Sequence, residues 1–460
     1  MACSAEAADT LAESHAARAG SAPAWYALTV DTTADTIAAD GKCSLREAVA
    51  IVDRVFDANN DCPLVASAAA SDTIQFDASL AGTTIALSSN TPLAFAAGSF
   101  VSMTGPNAGP SSTIAIDGNG ATRIVDVAAG ANVSFQFLRF QNGRTSGVSP
   151  GSDGAGIRNA GVLSMDNCTL RANTSSGAGG AIDNENALTL SAVTLTNNSA
   201  SSGGALVDRG VLSVVHGYIA NNAAAGQAGG LDLRGQGATL SFTTVQNNSA
   251  GSAGSAAGGG IVVAAGSTLN LSSSLLGGNH VTGIGGGVAN YGQISADNST
   301  FAGNTATSFG GAIGNDSSAA GTSQIVASTF GNNTASAGNA IANLLGGISL
   351  RHSLLGGSGI CSGSVTDAGG NIAADASCAL GAGSRSMTDP QLGTLAYYGG
   401  ATFTMPPSAN SPAIDVIDAV DCDGAFDQRA VPRPQGGKCD VGAVELQTDR
   451  IFVDGFDLWP

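Results

Sequence analysis

Arg158, Asp183, Asp208 with Arg209, and Asp232 with Arg234 recur every 24 or 25 residues in a chain of which only 11% is charged. Carboxylates and guanidinium groups stacked at such a spacing suit polysaccharide chemistry. Carboxylates can supply general acid and base for hydrolysis, and an arginine can take the proton in an elimination. The same residues can instead form a solvated ladder of ion pairs, each worth under ~1 kcal/mol. Val262, Ala289 and Gly314 fill the matching region of later units, so the scarce charge is clustered on four successive ones, and the ladder is the expected reading. The candidate catalytic residues are therefore Asp183, Asp208, Arg209 and Asp232, and the candidate ligand-binding set adds Arg158 and Arg234. His216, His280 and His352 fall on well-separated units, and no G-x-S-x-G, H-E-x-x-H or phosphate loop occurs in context.

What positions these residues is an internal repeat. A glycine pair followed by an apolar run places its second glycine at Gly180, Gly204, Gly230, Gly260, Gly287 and Gly311, and a fainter copy begins at Gly154. An asparagine signature tracks it at Asn173, Asn198, Asn222, Asn248, Asn279, Asn304 and Asn333. Within one unit Leu188 and Leu190 alternate with polar residues, a turn at Ser191 and Ala192 shifts the parity, and Val193 and Leu195 resume. Strands this short cannot bury a face alone, and several glycines per unit at ~1 kcal/mol each disfavour helix. Stacked coils ~4.8 Å apart satisfy both constraints. The expected fold is all-β, a right-handed parallel β-helix with aliphatic ladders inside and the asparagines as an internal amide ladder. Cys168 falls where other units carry Val193 and Val245, which makes it a core thiol.

Composition agrees. Glycine reaches 65 of 460 residues and aromatics 5%, yet 43% is hydrophobic, so small residues must do the burying. The net charge of −18 excludes nucleic acid and anionic lipid as partners. No run approaches the ~18 apolar residues of a membrane span, and residues 1–22 lack a secretory apolar core. Six cysteines form the local pairs Cys43 and Cys62, Cys361 and Cys378, and Cys422 and Cys439, none with zinc-site spacing; disulfides in an oxidising compartment are expected. Cys3 is left over without a role.

An open β-helix exposes strand edges at its ends, so caps are expected. In "CSLREAVAIVDRVFDANNDC", Ser44 followed by Glu47 is a capping box, and Leu45, Ala48, Val49, Val52, Val55 and Phe56 share one helical face. That predicts a short helical lid tied by its two cysteines. Residues 43–48, "CSLREA", resemble the defining hexamer of CSLREA-domain proteins, bacterial β-helix proteins that are predominantly secreted or at the cell surface. "DPQLGTLAYYGGATFTMPPSANSPAIDVID" with "DQRAVPRPQGGKCDVGAVE" is similar to the choice-of-anchor Q module that commonly closes such chains. Neither motif implies a reaction. The final "DRIFVDGFDLWP" has no sorting-tail features.

In the C-terminal region, Pro412, Ile414, Val441 and Val444 are expected to build the last coil, with Asp415, Asp427, Arg429 and Glu445 in a buried polar network. Asp415, Asp418, Asp421, Asp423 and Asp427 concentrate hard oxygen ligands and form a candidate calcium site, the one cofactor the sequence suggests. The expected organisation is a disordered segment (1–24), the cap (25–71), β-helix coils (72–356), C-terminal coils with the anchor-like cap (357–446) and a tail (447–460). The functional expectation is a monomeric, non-catalytic, secreted or surface protein binding a polysaccharide or cell-surface glycan along its rod. The alternative is a polysaccharide lyase or glycoside hydrolase.

Overall fold

Each unit of the repeat is one coil of four short strands. Ile182–Asn184, Ala187–Ser191, Thr194–Thr196 and Ser199–Ala200 belong to four different sheets, here numbered 1 to 4 in that order. The next coil repeats them in register at Leu206–Asp208, Val211–Val215, Tyr218–Ala220 and Ala223–Ala224. Sheets 1 to 4 contain 11, 14, 12 and 7 strands, paired in parallel from coil to coil; an antiparallel strand, Val65–Ala66, edges sheet 2 beside Tyr26–Val30. The molecule is a parallel β-helix. This computed structural model describes residues 25–147, 151–251, 256–317 and 322–447. Cys3, the segment 1–24 and the tail beyond 447 lie outside the described residues.

Alternation turns Leu188, Leu190 and Leu195 inward, each at most 2% exposed. They join an apolar column running the length of the rod, with Phe95, Phe135 and Phe140 near one end and the stacked pair Phe301 and Phe330 further along. Cys168 is buried and free, and burial pushes its thiol up to about 12. It sits under Val193, whereas Val245 belongs to the neighbouring column of Leu195 and Ile219.

The glycine pair solves two different problems. Gly179 has φ +63°, the left-handed region that costs an L side chain. At Gly180 the obstacle is space, because a Cβ would lie 2.1 Å from the Gly204 carbonyl of the next coil. The paired asparagines divide labour similarly. Asn197, Asn221, Asn247 and Asn332 take left-handed φ of 52–58°, while the residue after each enters the amide ladder. Along that ladder each Nδ2 donates to the next Oδ1 at 2.9–3.0 Å, from Asn173 to Asn333. Two further ladders were not foreseen. Ser274, Ser299, Ser328 and Ser353 accept backbone N–H groups across coils at the corner between sheets 2 and 3. At the inner end of sheet 1, Asn159 donates to Asn184, and Asn290 to Asn315.

At the N-terminal end the helix runs Leu45–Val52 with the expected capping box: the Glu47 N–H donates to Ser44 Oγ, and the Ser44 N–H to Glu47 Oε2. Leu45, Ala48, Val49 and Val52 are buried, but Val55 and Phe56 fall beyond the last turn and are 60% and 58% exposed, so they are not part of the buried face. Cys43 is bonded to Cys62, and Arg46 pairs with Asp35 while donating to the carbonyls of Thr91 and Pro92. The parallel ladder of sheet 2 starts at Tyr26–Val30 and reaches Thr366–Asp367, beyond residues 72–356 at both ends.

The C-terminal region departs from expectation. The last coil is closed by the turn carrying Cys378, bonded to Cys361. Residues 389–446 then double back along the outside of sheet 3. Gln428 accepts from Thr300 Oγ1 at 2.6 Å and donates to the Ser274 carbonyl; the Ala443 N–H donates to Thr329 Oγ1. Val441 packs with Ile417 and Cys439 against Leu354 and Ile372, and Val444 is buried, so these residues form a flank rather than a final coil. The cause is the outer face of sheet 3, which in its later coils presents Leu275, Thr300, Thr329 and Leu354 and requires cover.

Candidate functional site

The predicted charge column resolves into two columns with different fates. On sheet 1, Asp126, Arg158, Asp183, Val207, Asp232 and Val262 stand in register as the outward residues. Asp208 does not belong with them. It is one residue further on, pointing inward in the second asparagine ladder, where its Oδ1 accepts from Asn184 Nδ2 at 2.6 Å. Burial raises its pKa above the ordinary carboxylate range, and Oδ2 has no hydrogen-bond partner.

The outward column is not solvated. The chain from sheet 4 folds back over it at the left-handed glycines, so that in later coils Ala228, Ala257, Val262 and Ala289 make a small apolar layer outside the sheet. Asp183 and Asp232, in the same crevice, are 0% exposed. Arg209 reaches back to Asp183 and lies 3.7 Å from Asp153; Arg234 holds Asp232 at 2.6 Å and donates to Ser202. Arg158 bridges Asp126 and Glu185 at 3.6 and 2.9 Å, on the more open side. The exposed salt-bridge ladder expected from the sequence is instead a coil-spanning network with a buried floor, because the fold-back covers Asp153, Asp183 and Asp232 and leaves Arg209 and Arg234 nearer the surface, while Asp126, Arg158 and Glu185 stay partly exposed. Asp183 Oδ2 and Asp232 Oδ1 are sealed without partners and have no path to a sugar.

The aspartates proposed for calcium are also dispersed. Asp418 pairs with Lys438, Asp423 with Arg351 and His352, and Asp427 with Arg429, while Asp415 and Asp421 are exposed. Among the described residues no group of three His, Cys, Asp or Glu side chains could hold a metal. The buried network of this region forms with three of the four expected residues, Asp427, Arg429 and Glu445. Arg429 binds Asp427, Arg433 binds Glu445 at 2.9 Å, and Asp440 rather than Asp415 completes it, accepting the N–H groups of Asp415 and Leu446. Burial, with the nearby Glu445 adding to it, pushes Asp440 up to about 6.

What sequence reasoning missed lies on sheet 3 where the C-terminal flank stops. Its early coils present Arg139, Thr169, Arg171, Thr194, Thr196 and Tyr218 outward, half-buried to exposed. Arg171 donates to Gln141 Oε1 at 3.0 Å; Gln141 and Asn142 both donate to Asp117 Oδ2, at 2.8 and 2.7 Å. Asp117 and Asn142 help to line an open depression of about 330 Å³ with Arg144 on its wall. Tyr218 accepts from Gln246 Nε2 at 2.6 Å, leaving its ring 40% exposed. The signal available in the sequence was local: two arginines within "LRFQNGR" in a chain with 17 Lys and Arg.

No family model matches this chain, and no curated protein matches it. Among solved structures, the crystal structure of pectate lyase Pel9A is similar over 91% of this chain and 96% of its own, at 14% identity and a TM-score of 0.40. The site is therefore read from this chain's own residues.

Proposed function

We propose that the protein is an extracellular, non-catalytic β-helix that binds a polysaccharide along the uncovered coils of sheet 3. The observation that carries this reading is the contrast between two surfaces. The carboxylates nominated for acid and base work are sealed, Asp183 and Asp232 against arginines and Asp208 within the asparagine ladder, whereas the early coils of sheet 3 offer an extended strip of guanidinium, hydroxyl, amide and tyrosine groups. Such a strip fits a linear chain of hydroxyl-rich sugars, which needs many hydrogen-bonding groups and an aromatic face. Three disulfides, and the absence of any described helix long and apolar enough to cross a membrane, support export. The resemblance of residues 43–48 to the CSLREA hexamer supports a bacterial surface or secreted role, and we take the protein to act as a monomer.

A lyase reading has one observation in its favour. Burial, with the neighbouring Arg171 adding to it, lowers the Arg139 pKa, the direction a proton-abstracting arginine requires. One experiment separates the two. Incubation with a polysaccharide panel, followed for new reducing ends and for the absorbance of unsaturated products, should give retention without products. Product formation by the wild type overturns the binding reading in favour of catalysis, and absence of retention on every glycan overturns both.

A further inference from the structure

The described lysines and arginines of this acidic chain are nearly all ion-paired. Thirteen bridges engage them, and only Arg139, Arg144, Arg171 and Arg385 lack a carboxylate partner among the described residues. Three of those four lie in the same early coils: Arg139 and Arg171 on the uncovered strands of sheet 3, and Arg144 just beyond, on the first strand of sheet 4. Arg139 stands opposite Thr169 and Arg171 opposite Gln141, so the two occupy successive coils on a diagonal of about 8 Å between Cα atoms. They repel each other, which contributes to the lowered pKa of Arg139. Asp117, the carboxylate beside them, is already held by the Asn119 N–H, Gln141 and Asn142, three neutral donors, and neutralises neither. In a chain of net charge −18, two like charges left adjacent and unpaired are the arrangement that an incoming anion would relieve.

We infer that the ligand of this strip is a carboxylated polysaccharide, a polyuronate, whose successive carboxylates are received by Arg139 and Arg171, with Arg144 at the edge of the adjoining depression. The inference rests on the glycan-binding reading above and names its ligand class. Guanidinium groups receive planar carboxylates through two parallel N–H donors, and the offset of one coil lets neighbouring groups on one polymer engage both arginines at once. Free carboxylates on small molecules would reach only one arginine at a time and bind far more weakly.

The test uses the full chain and four probes in a chelating buffer: alginate, its propylene glycol ester, dextran and dextran sulfate. Affinity electrophoresis should show retention by alginate, at least tenfold weaker retention by the ester, and none by dextran. The double variant Arg139→Gln/Arg171→Gln should lose ~10- to 100-fold in alginate affinity. Arg385→Gln, which removes the fourth unpaired cation elsewhere, should change nothing. A urea midpoint for each variant confirms folding, and the ester comparison on the wild type is independent of any variant. Equal retention by alginate and its ester, or stronger retention by dextran sulfate, overturns the carboxylate assignment while leaving glycan binding intact. Retention by none of the four, nor by any neutral glycan, removes the underlying reading as well.

Discussion

Replacing Asn248 with leucine tests the internal ladder where its bonding is most complete. Asn248 is 0% exposed. Its Nδ2 donates to Asn279 Oδ1 at 3.0 Å and to the Ile219 carbonyl at 2.9 Å; its Oδ1 accepts from the N–H and the Nδ2 of Asn222 at 3.0 and 2.9 Å. Leucine removes all four bonds and leaves two buried donors on Asn222 with no acceptor. At about 1–3 kcal/mol for each orphaned buried group, the cost is about 2–6 kcal/mol, before any strain from the bulkier side chain. In a solenoid each coil contacts only its neighbours, so the loss falls on the two interfaces flanking this coil and should lower the urea midpoint measured by far-ultraviolet circular dichroism. The same substitution at Asn270, exposed on the outer face of sheet 2, should stay within about 0.5 kcal/mol. An unchanged midpoint for Asn248→Leu, or equal losses at both positions, would refute the claim that the amide column holds the coils together.

Arg209→Ala leaves the buried Asp183 carboxylate without its partner and should cost about 3–5 kcal/mol in urea denaturation, against under about 1 kcal/mol for Arg385→Ala; equal effects would mean the network is solvated after all. Asp208→Asn should stabilise by about 1–2 kcal/mol at pH 7. Because the folded pKa of Asp208 is raised, its penalty is absent below the unfolded value of about 4 and grows as pH rises through the folded one, so a gain that persists at pH 3 contradicts the assignment. Asp440 should titrate at about 6 by carboxyl carbon-13 shift, and a midpoint in the ordinary carboxylate range would show that it is hydrated. Non-reducing peptide mapping should recover the pairs of Cys43 with Cys62, Cys361 with Cys378 and Cys422 with Cys439, with Cys168 alkylated only after unfolding; any crosslink to Cys168 contradicts both the pairing and its burial.

The winding of the rod was legible because its cause is local and repeated. Gly179 and Gly180, Asn197 and Asn198, and the alternation of Leu188, Leu190 and Leu195 state the coil in each unit, and the register between coils follows from aligning the units. The serine ladder through Ser274, Ser299 and Ser328 was less legible, since a serine reads equally well as solvent-facing; only the neighbouring coil's N–H shows that it is used. The path of residues 389–446 was not legible from its own composition. Its apolar residues call for a partner, and both the open end of the rod and the flank of sheet 3 offer one. The deciding residues were elsewhere, in Leu275 and Leu354, outward-facing leucines that a solvated strand would not carry.

The charge patch failed for a related reason. Aligning Asp183, Asp208 and Asp232 by their distance from the glycine pair hides a shift of one residue, and in a strand one residue exchanges inside for outside. Asp208 therefore landed in the asparagine ladder while Asp183 and Asp232 stayed on the outer column. Even the outer column was misread, because alternation reports which side of a strand a residue faces and not what lies beyond that side. A left-handed turn such as Gly203 carries the chain back over sheet 1, and residues written as outward become a second interior. Arg139 and Arg171 escaped notice by the opposite route. They sit two positions apart on adjacent coils, in different columns, so no column alignment joins them; their common feature is the lack of a carboxylate partner, which becomes visible only when the described cations are matched one by one to carboxylates.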